Sequence, residues 1–207
     1  MTAAERIASP GLFFAKQFLR HPRMIGSAIP TSSIAIRALL DPVDWASARV
    51  VVEYGPGTGV FTRALLARLS PHARLIAIDT NPVFVNYLRD SLKDERLTCV
   101  EGSAADVRKI LADLGLEAAN YIVSGLPFST LPDGVGDEIM DATQRAIAPG
   151  GAFLVYQYSS FVLPYLKARF PRVDVDRVWR CIPPAQLFWA RKDAAAVSVC
   201  GESLAAE

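Results

Sequence analysis

A carboxylate at the end of an apolar run, with three alternate glycines behind it, is the pattern in this chain best suited to chemistry. Val50-Val51-Val52 stops at Glu53, and Gly55-Pro56-Gly57-Thr58-Gly59 follows before the helix-like Val60–Leu66. Strand, tight turn and helix start form a setting in which backbone approaches a nucleotide-like ligand. A second apolar run, Arg74–Ile78, ends in Asp79 with Thr80 and Asn81 behind it. A carboxylate roughly 20 residues beyond such a loop can accept both hydroxyls of a ribose. A third run leads to Gly102-Ser103-Ala104, small residues that leave room for an adenine. A fourth ends in Ser124-Gly125-Leu126-Pro127-Phe128-Ser129. Its turn would put main-chain carbonyls and the Phe128 ring where a ligand's reactive end should sit, the carbonyls accepting from an amine and the ring facing a cation.

The spacing decides between ligands. The dinucleotide fingerprint G-x-G-x-x-G needs a third glycine, and Val60 or Thr62 stands there, depending on the frame. Glu53 facing the loop would repel a pyrophosphate, whereas it suits an ammonium or sulfonium charge. S-adenosyl-L-methionine carries both and has no phosphate. It is the expected cofactor, met by Glu53, Gly55, Gly57 and Gly59, by Asp79 with Thr80 and Asn81, and by Gly102, Ser103 and Ala104.

These residues need a parallel sheet to bring them together. Apolar runs predict strands at about 49–54, 73–79, 96–101, 119–124 and 151–158, with helices near 58–69, 81–93, 104–114 and 135–147 between them. Pro149-Gly150-Gly151 is expected to stop the last long helix and start a strand. After a helical piece near 161–170, Val173–Trp179 and Gln186–Arg191 read as strands joined too tightly for a crossover helix, hence antiparallel. The expected fold is α/β, a Rossmann-like, mostly parallel seven-stranded sheet with an antiparallel last strand and helices on both faces.

The chain has 207 residues, half of them apolar, which suits one domain with a sizeable core. Its net charge is +1, without the basicity that nucleic-acid backbone asks for. The three cysteines and two histidines show no metal-ligand spacing, so no metal is expected. No run is long enough to span a membrane. From Arg6 to Leu40 there are basic residues and no acidic one. Within that stretch Gly11–Arg23 is amphipathic, Phe13, Phe14 and Phe18 on the apolar side and Lys16, Arg20 and Arg23 on the other. Residues 1–40 are expected to form this helix and a covering segment, and 41–207 the cofactor-binding domain.

In its glycine loop, Asp79, Gly102-Ser103-Ala104 and Leu126-Pro127-Phe128, the chain resembles the class I S-adenosylmethionine-dependent methyltransferases. More narrowly it is similar to bacterial phospholipid N-methyltransferases. That match rests on Phe13-Phe14-Ala15-Lys16 leading to Ile25–Ser32, on Ser124-Gly125-Leu126-Pro127, and on Ile182-Pro183-Pro184-Ala185 before the last strand. The resemblance implies stepwise N-methylation of phosphatidylethanolamine toward phosphatidylcholine. It also implies Ser124 and Leu126 lining the cofactor site with the residues above, Thr31 and Ser32 closing over the methionine end, and peripheral binding to the anionic inner face of the cytoplasmic membrane through the N-terminal helix. Ser103 departs from the acidic residue that many methyltransferases carry there.

The amine must lose a proton to attack, and Tyr156, Tyr158, His21 and Ser129 are the candidate acceptors or positioners. Pro127 and Phe128 would contact the substrate. Two other enzyme readings compete, a ribosomal RNA adenine N6-dimethyltransferase and a small-molecule amine methyltransferase. The RNA group carries an Asn where Gly125 stands. A non-catalytic S-adenosylmethionine-binding module is the third, against which the complete set of site residues argues.

Overall fold

The computed structural model describes residues 33–181 and 183–194. His21, Thr31, Ser32 and the amphipathic Phe13, Phe14, Lys16, Phe18, Arg20 and Arg23 lie outside them. Seven strands form one sheet in the order β3-β2-β1-β4-β5-β7-β6. They are β1 Val50–Tyr54, β2 Arg74–Asp79, β3 Leu97–Glu101, β4 Ala119–Ser124, β5 Ile147–Gln157, β6 Arg172–Val178 and β7 Ala185–Arg191. The first five run parallel, and β7 is antiparallel to both of its neighbours, β5 and β6. The helices are α1 Ser33–Leu40, α2 Val60–Leu66, α3 Pro82–Ser91, α4 Val107–Asp113, α5 Val135–Ala146 and α6 Leu163–Lys167.

The apolar strands are continuous because both faces are covered. Val52 and Tyr54 of β1 pack on one face with Ile76, Ile78, Ile122 and Phe153 under Val107, Leu111, Ile139 and Met140 of α4 and α5. Val51 packs on the other face with Leu75 and Leu154 under α1 and α2. Each such side chain contributes roughly 1.5–3 kcal/mol by leaving water. α1 buries Ala35, Ile36, Leu39 and Leu40 in this core. The indole Nε1 of Trp189 in β7 donates to the Leu39 carbonyl at 2.9 Å, tying α1 to the last strand.

Two elements differ from the sequence-based expectation. Pro149-Gly150-Gly151 does not separate helix from strand: β5 begins at Ile147, directly after α5, and the three residues ride inside it. The register against β4 shifts between Ala119 and Tyr121 to accommodate them. Gly151 permits this close approach, since a Cβ there would fall 2.4 Å from the Asn120 carbonyl oxygen. The helix expected over 161–170 is one short turn, Leu163–Lys167, with Pro164 in it.

Candidate active site

The strand order reverses between β1 and β4, so a crevice opens beyond their carboxyl ends, where ligands bind in open α/β sheets. Glu53 stands there, 2% exposed, with its Oε2 unpartnered among the described residues. Burial pushes its carboxyl up to about 8. Thr62 lies beside it and opposes the shift in part, its hydroxyl outside good hydrogen-bond geometry, while Asp79 adds to the shift by like charge. A carboxylate held this way seeks a positive partner.

The glycine loop is built for that partner's approach. Gly55, Gly57 and Gly59 all have φ between 53° and 80°, the left-handed region that glycine occupies without strain. A Cβ at Gly59 would lie 2.6 Å from Leu88 Cδ2 and one at Gly55 2.9 Å from Leu126 Cδ2, so both are also packed closed. Gly57 faces open space. Arg63, which the sequence reading did not single out, clamps the loop from α2, donating through Nη1 to the carbonyls of Thr58 at 2.8 Å and Gly59 at 3.1 Å.

At the end of β2, Asp79 is raised by burial, against which the N–H groups of Asn81 and Gly57 pull down. Asn81 N donates to Asp79 Oδ1 at 2.9 Å, which aims the carboxylate over the loop. Asn81 also caps α3 by accepting from Val83 N, and its Nδ2 is buried and unpartnered among the described residues. Thr80 points out, exposed. At the end of β3, Gly102 N donates to the Asp79 carbonyl at 3.0 Å, joining the two strand ends. The Ser103 hydroxyl is occupied, accepting from Ala105 N at 3.1 Å, and Ala104 is buried. Ser124 is likewise buried and occupied by Leu126 N at 3.1 Å, so it shapes the turn.

Beside this pocket lies a cleft lined by Gly125, Leu126, Pro127, Ser129, Tyr156, Gln157, Tyr158 and Ser159. The structure thus brings Tyr156, Tyr158 and Ser129 together with the β4 turn. The two phenols touch, Tyr156 donating to Tyr158 Oη at 2.7 Å. Phe128 is not part of the lining. It is 3% exposed, in the same core cluster as Ile139 and Met140 of α5. The cation–π contact expected of Phe128 is therefore not what this geometry offers. Gln157, which sequence reasoning missed, is buried and donates through Nε2 to the Leu126 carbonyl at 2.8 Å. That carbonyl, expected to meet an amine, thus already holds one donor. The signal was present: a lone amide at the carboxyl end of an apolar strand, between two tyrosines.

An unpartnered buried carboxylate oxygen, a glycine cradle with open space at its centre and a second carboxylate aimed across it fit a cationic nucleoside. S-adenosyl-L-methionine is that molecule, and the residues present suit it.

Comparison with known proteins agrees. The family described as "Methyltransferase domain" matches residues 51–151. Ornithine lipid N-methyltransferase of Singulisphaera acidiphila is 32% identical over 184 residues, covering 86% of this chain and 94% of that protein. Ribosomal RNA small subunit methyltransferase H of Nitrosomonas europaea is 34% identical over 104 residues, but spans only 44% of this chain and 32% of its own length. Among solved structures, the N-methyltransferase NodS of Bradyrhizobium japonicum, in complex with S-adenosyl-L-homocysteine, aligns over 89% of this chain and 99% of its own. Its TM-score is 0.65 and its identity 16%.

Proposed function

This chain belongs to the class I S-adenosylmethionine-dependent methyltransferases, and from that premise we propose that it N-methylates the amine headgroup of a membrane lipid. The proposed acceptors are phosphatidylethanolamine and its mono- and dimethyl forms, leading toward phosphatidylcholine. The observation that carries the lipid reading is the match along 94% of the length of an enzyme named for an ornithine lipid. The ribosomal RNA enzyme is matched over less than half of this chain. A second lipid acceptor follows from the same match: an ornithine lipid also presents an amine on a headgroup.

When bound, S-adenosyl-L-methionine supplies an electrophilic methyl on a sulfonium. Glu53 would hold the donor's positive charge and Asp79 its ribose hydroxyls, while Gly57 lets backbone come close. The acceptor amine enters between the Leu126-Pro127 turn and the tyrosine pair. Because Tyr156 donates to Tyr158 Oη, Tyr158 keeps its own proton and an acceptor lone pair for the cleft. That oxygen accepts from an N–H of the unmethylated or monomethylated amine and steers its lone pair toward the methyl, a contact the neutral dimethyl form has no N–H to make. A neutral primary or secondary amine that gains the methyl then sheds one proton to water at the cleft mouth, whereas the dimethyl form gives up its proton before transfer and ends as a quaternary ammonium with none to lose. No helix among the described residues is long and apolar enough to cross a membrane, so the protein would meet its lipid from the surface. We place that meeting at the inner face of the cytoplasmic membrane, with the amphipathic Gly11–Arg23 segment as one contact.

The test is a radiolabelled methyl-transfer assay offering phosphatidylethanolamine vesicles, ornithine lipid vesicles, ribosomal RNA and soluble amines side by side. Label in phosphatidylethanolamine is the expected result. Label only in ornithine lipid would move the acceptor within the class, and label only in RNA would sink the lipid reading.

A further inference from the structure

The large apolar side chains that the described residues leave most open to solvent lie at one end of the sheet. Trp179 is 70% exposed, Val175 49% and Phe161 47%, ahead of every other large apolar residue described. Val175 and Arg177 alternate along the end of β6 and so share a face, and Trp179 follows just past the strand. The Arg177 guanidinium lies over the Trp179 indole, 5.0 Å from the ring centroid, which places both on the same side. Arg180 comes next and is exposed. Phe161 stands in the connection from β5 to α6, at the same end of the sheet, with its ring 5.8 Å from that of Tyr165.

This patch lies at the same end of the sheet as the acceptor cleft and on the Gln157 side of it, Tyr156 and Tyr158 belonging to the opposite face. Arg177 is level with Gln186 of β7, and Gln186 is level with Gln157 of β5, which lines the cleft. Two strand spacings separate them, roughly 10 Å. The charge of the patch is one-sided. The acidic residues of β6, Asp174 and Asp176, alternate to the opposite face; Asp174 is paired with Arg172 at 3.1 Å and Arg191 at 3.0 Å, and the exposed Asp176 accepts from Arg177 N at 2.7 Å. An exposed indole with a guanidinium stacked on it has an apolar body for the acyl boundary and a cation for phosphate, the pairing favoured where lipid meets water.

We propose that the Trp179–Arg177–Arg180 tip of β6, with Val175 and Phe161, is a contact surface for an anionic phospholipid bilayer, seating the cleft against the headgroup layer. The proposal rests on the lipid-amine reading for its biological sense, but its test does not. Full-length protein is mixed with phosphatidylglycerol-containing vesicles whose acyl chains are brominated, and tryptophan emission is recorded. The chain has three tryptophans, and Trp189 is buried while Trp45 is partly so. The expected result is quenching that disappears in Trp179→Phe. In sedimentation, Arg177→Glu combined with Trp179→Ser should lower vesicle binding roughly tenfold, with S-adenosylhomocysteine binding unchanged by calorimetry.

Equal quenching in wild type and Trp179→Phe, or undiminished sedimentation of the double variant, overturns the surface. A wild-type dimer that the double variant splits, with vesicle binding unchanged, also overturns it and makes the face an interface between copies. If quenching maps to Trp179 while no lipid accepts label, the surface stands and the acceptor reading falls. If lipid accepts label and the double variant keeps its apparent KM for vesicles, the reverse holds.

Discussion

If Glu53 holds the donor, as proposed, its raised carboxyl would couple donor binding to protonation. Its carboxyl is pushed up to about 8 in the fold, against an ordinary 4.5, so between those values the folded state holds a proton that the unfolded chain has released. Stability of the donor-free protein should therefore fall as pH rises through that window. A cationic donor favours the charged carboxylate, so the stabilisation it gives should grow over the same range. Thermal unfolding from pH 6 to 9, with and without S-adenosylmethionine, should show both trends in wild type and neither in Glu53→Gln. The same substitution should weaken donor affinity roughly ten- to a hundredfold by calorimetry, the loss of a charge-assisted contact. Tyr158→Phe acts on the acceptor side. It should lower kcat about tenfold while leaving donor affinity unchanged, because it removes a positioning oxygen and little volume. A drop in donor affinity would mean that Tyr158 belongs to the other half of the site.

At the scale of elements, the β4 turn is held from β5. Gln157→Leu removes the donor to the Leu126 carbonyl, a loss of about 1 kcal/mol for one hydrogen bond. The expected readout is a raised KM for the lipid amine with S-adenosylhomocysteine affinity intact, and equal loss of both would place the defect in the whole fold. This tether also marks where sequence reading stopped. Glu53, the three glycines and Asp79 were legible because strand ends and left-handed turns are local demands of the chain. Gln157 and Leu126 meet across a separation of 31 residues, which no local period encodes. Phe128 looked like a cleft residue because it follows proline in a turn; its ring instead joins the core cluster of Ile139 and Met140, which lie on another element. Pro149-Gly150-Gly151 looked like a break because the bulge it makes needs β4 beside it.

Across the whole molecule, the proposed donor and acceptor sites fall on opposite halves of one sheet: the glycine loop and Asp79 follow β1 and β2, and the cleft and its exposed rim lie at β4, β5 and β6. Membrane contact and donor binding should therefore separate experimentally. Deleting residues 1–20 should weaken vesicle sedimentation severalfold while donor affinity by calorimetry stays within about twofold, and parallel loss of both would count against a distinct anchoring segment. The sheet order has a consequence for synthesis as well. β7 inserts between β5 and β6, yet it is translated after both. From the moment β5 docks on β4, its other edge, including Phe153, Leu154 and Val155, has no partner until Ala185–Arg191 emerge. The nascent chain thus carries an open, apolar strand edge during that interval, the kind of template that pairs with neighbouring chains. Its folding yield will depend on how fast the ribosome delivers those seven residues.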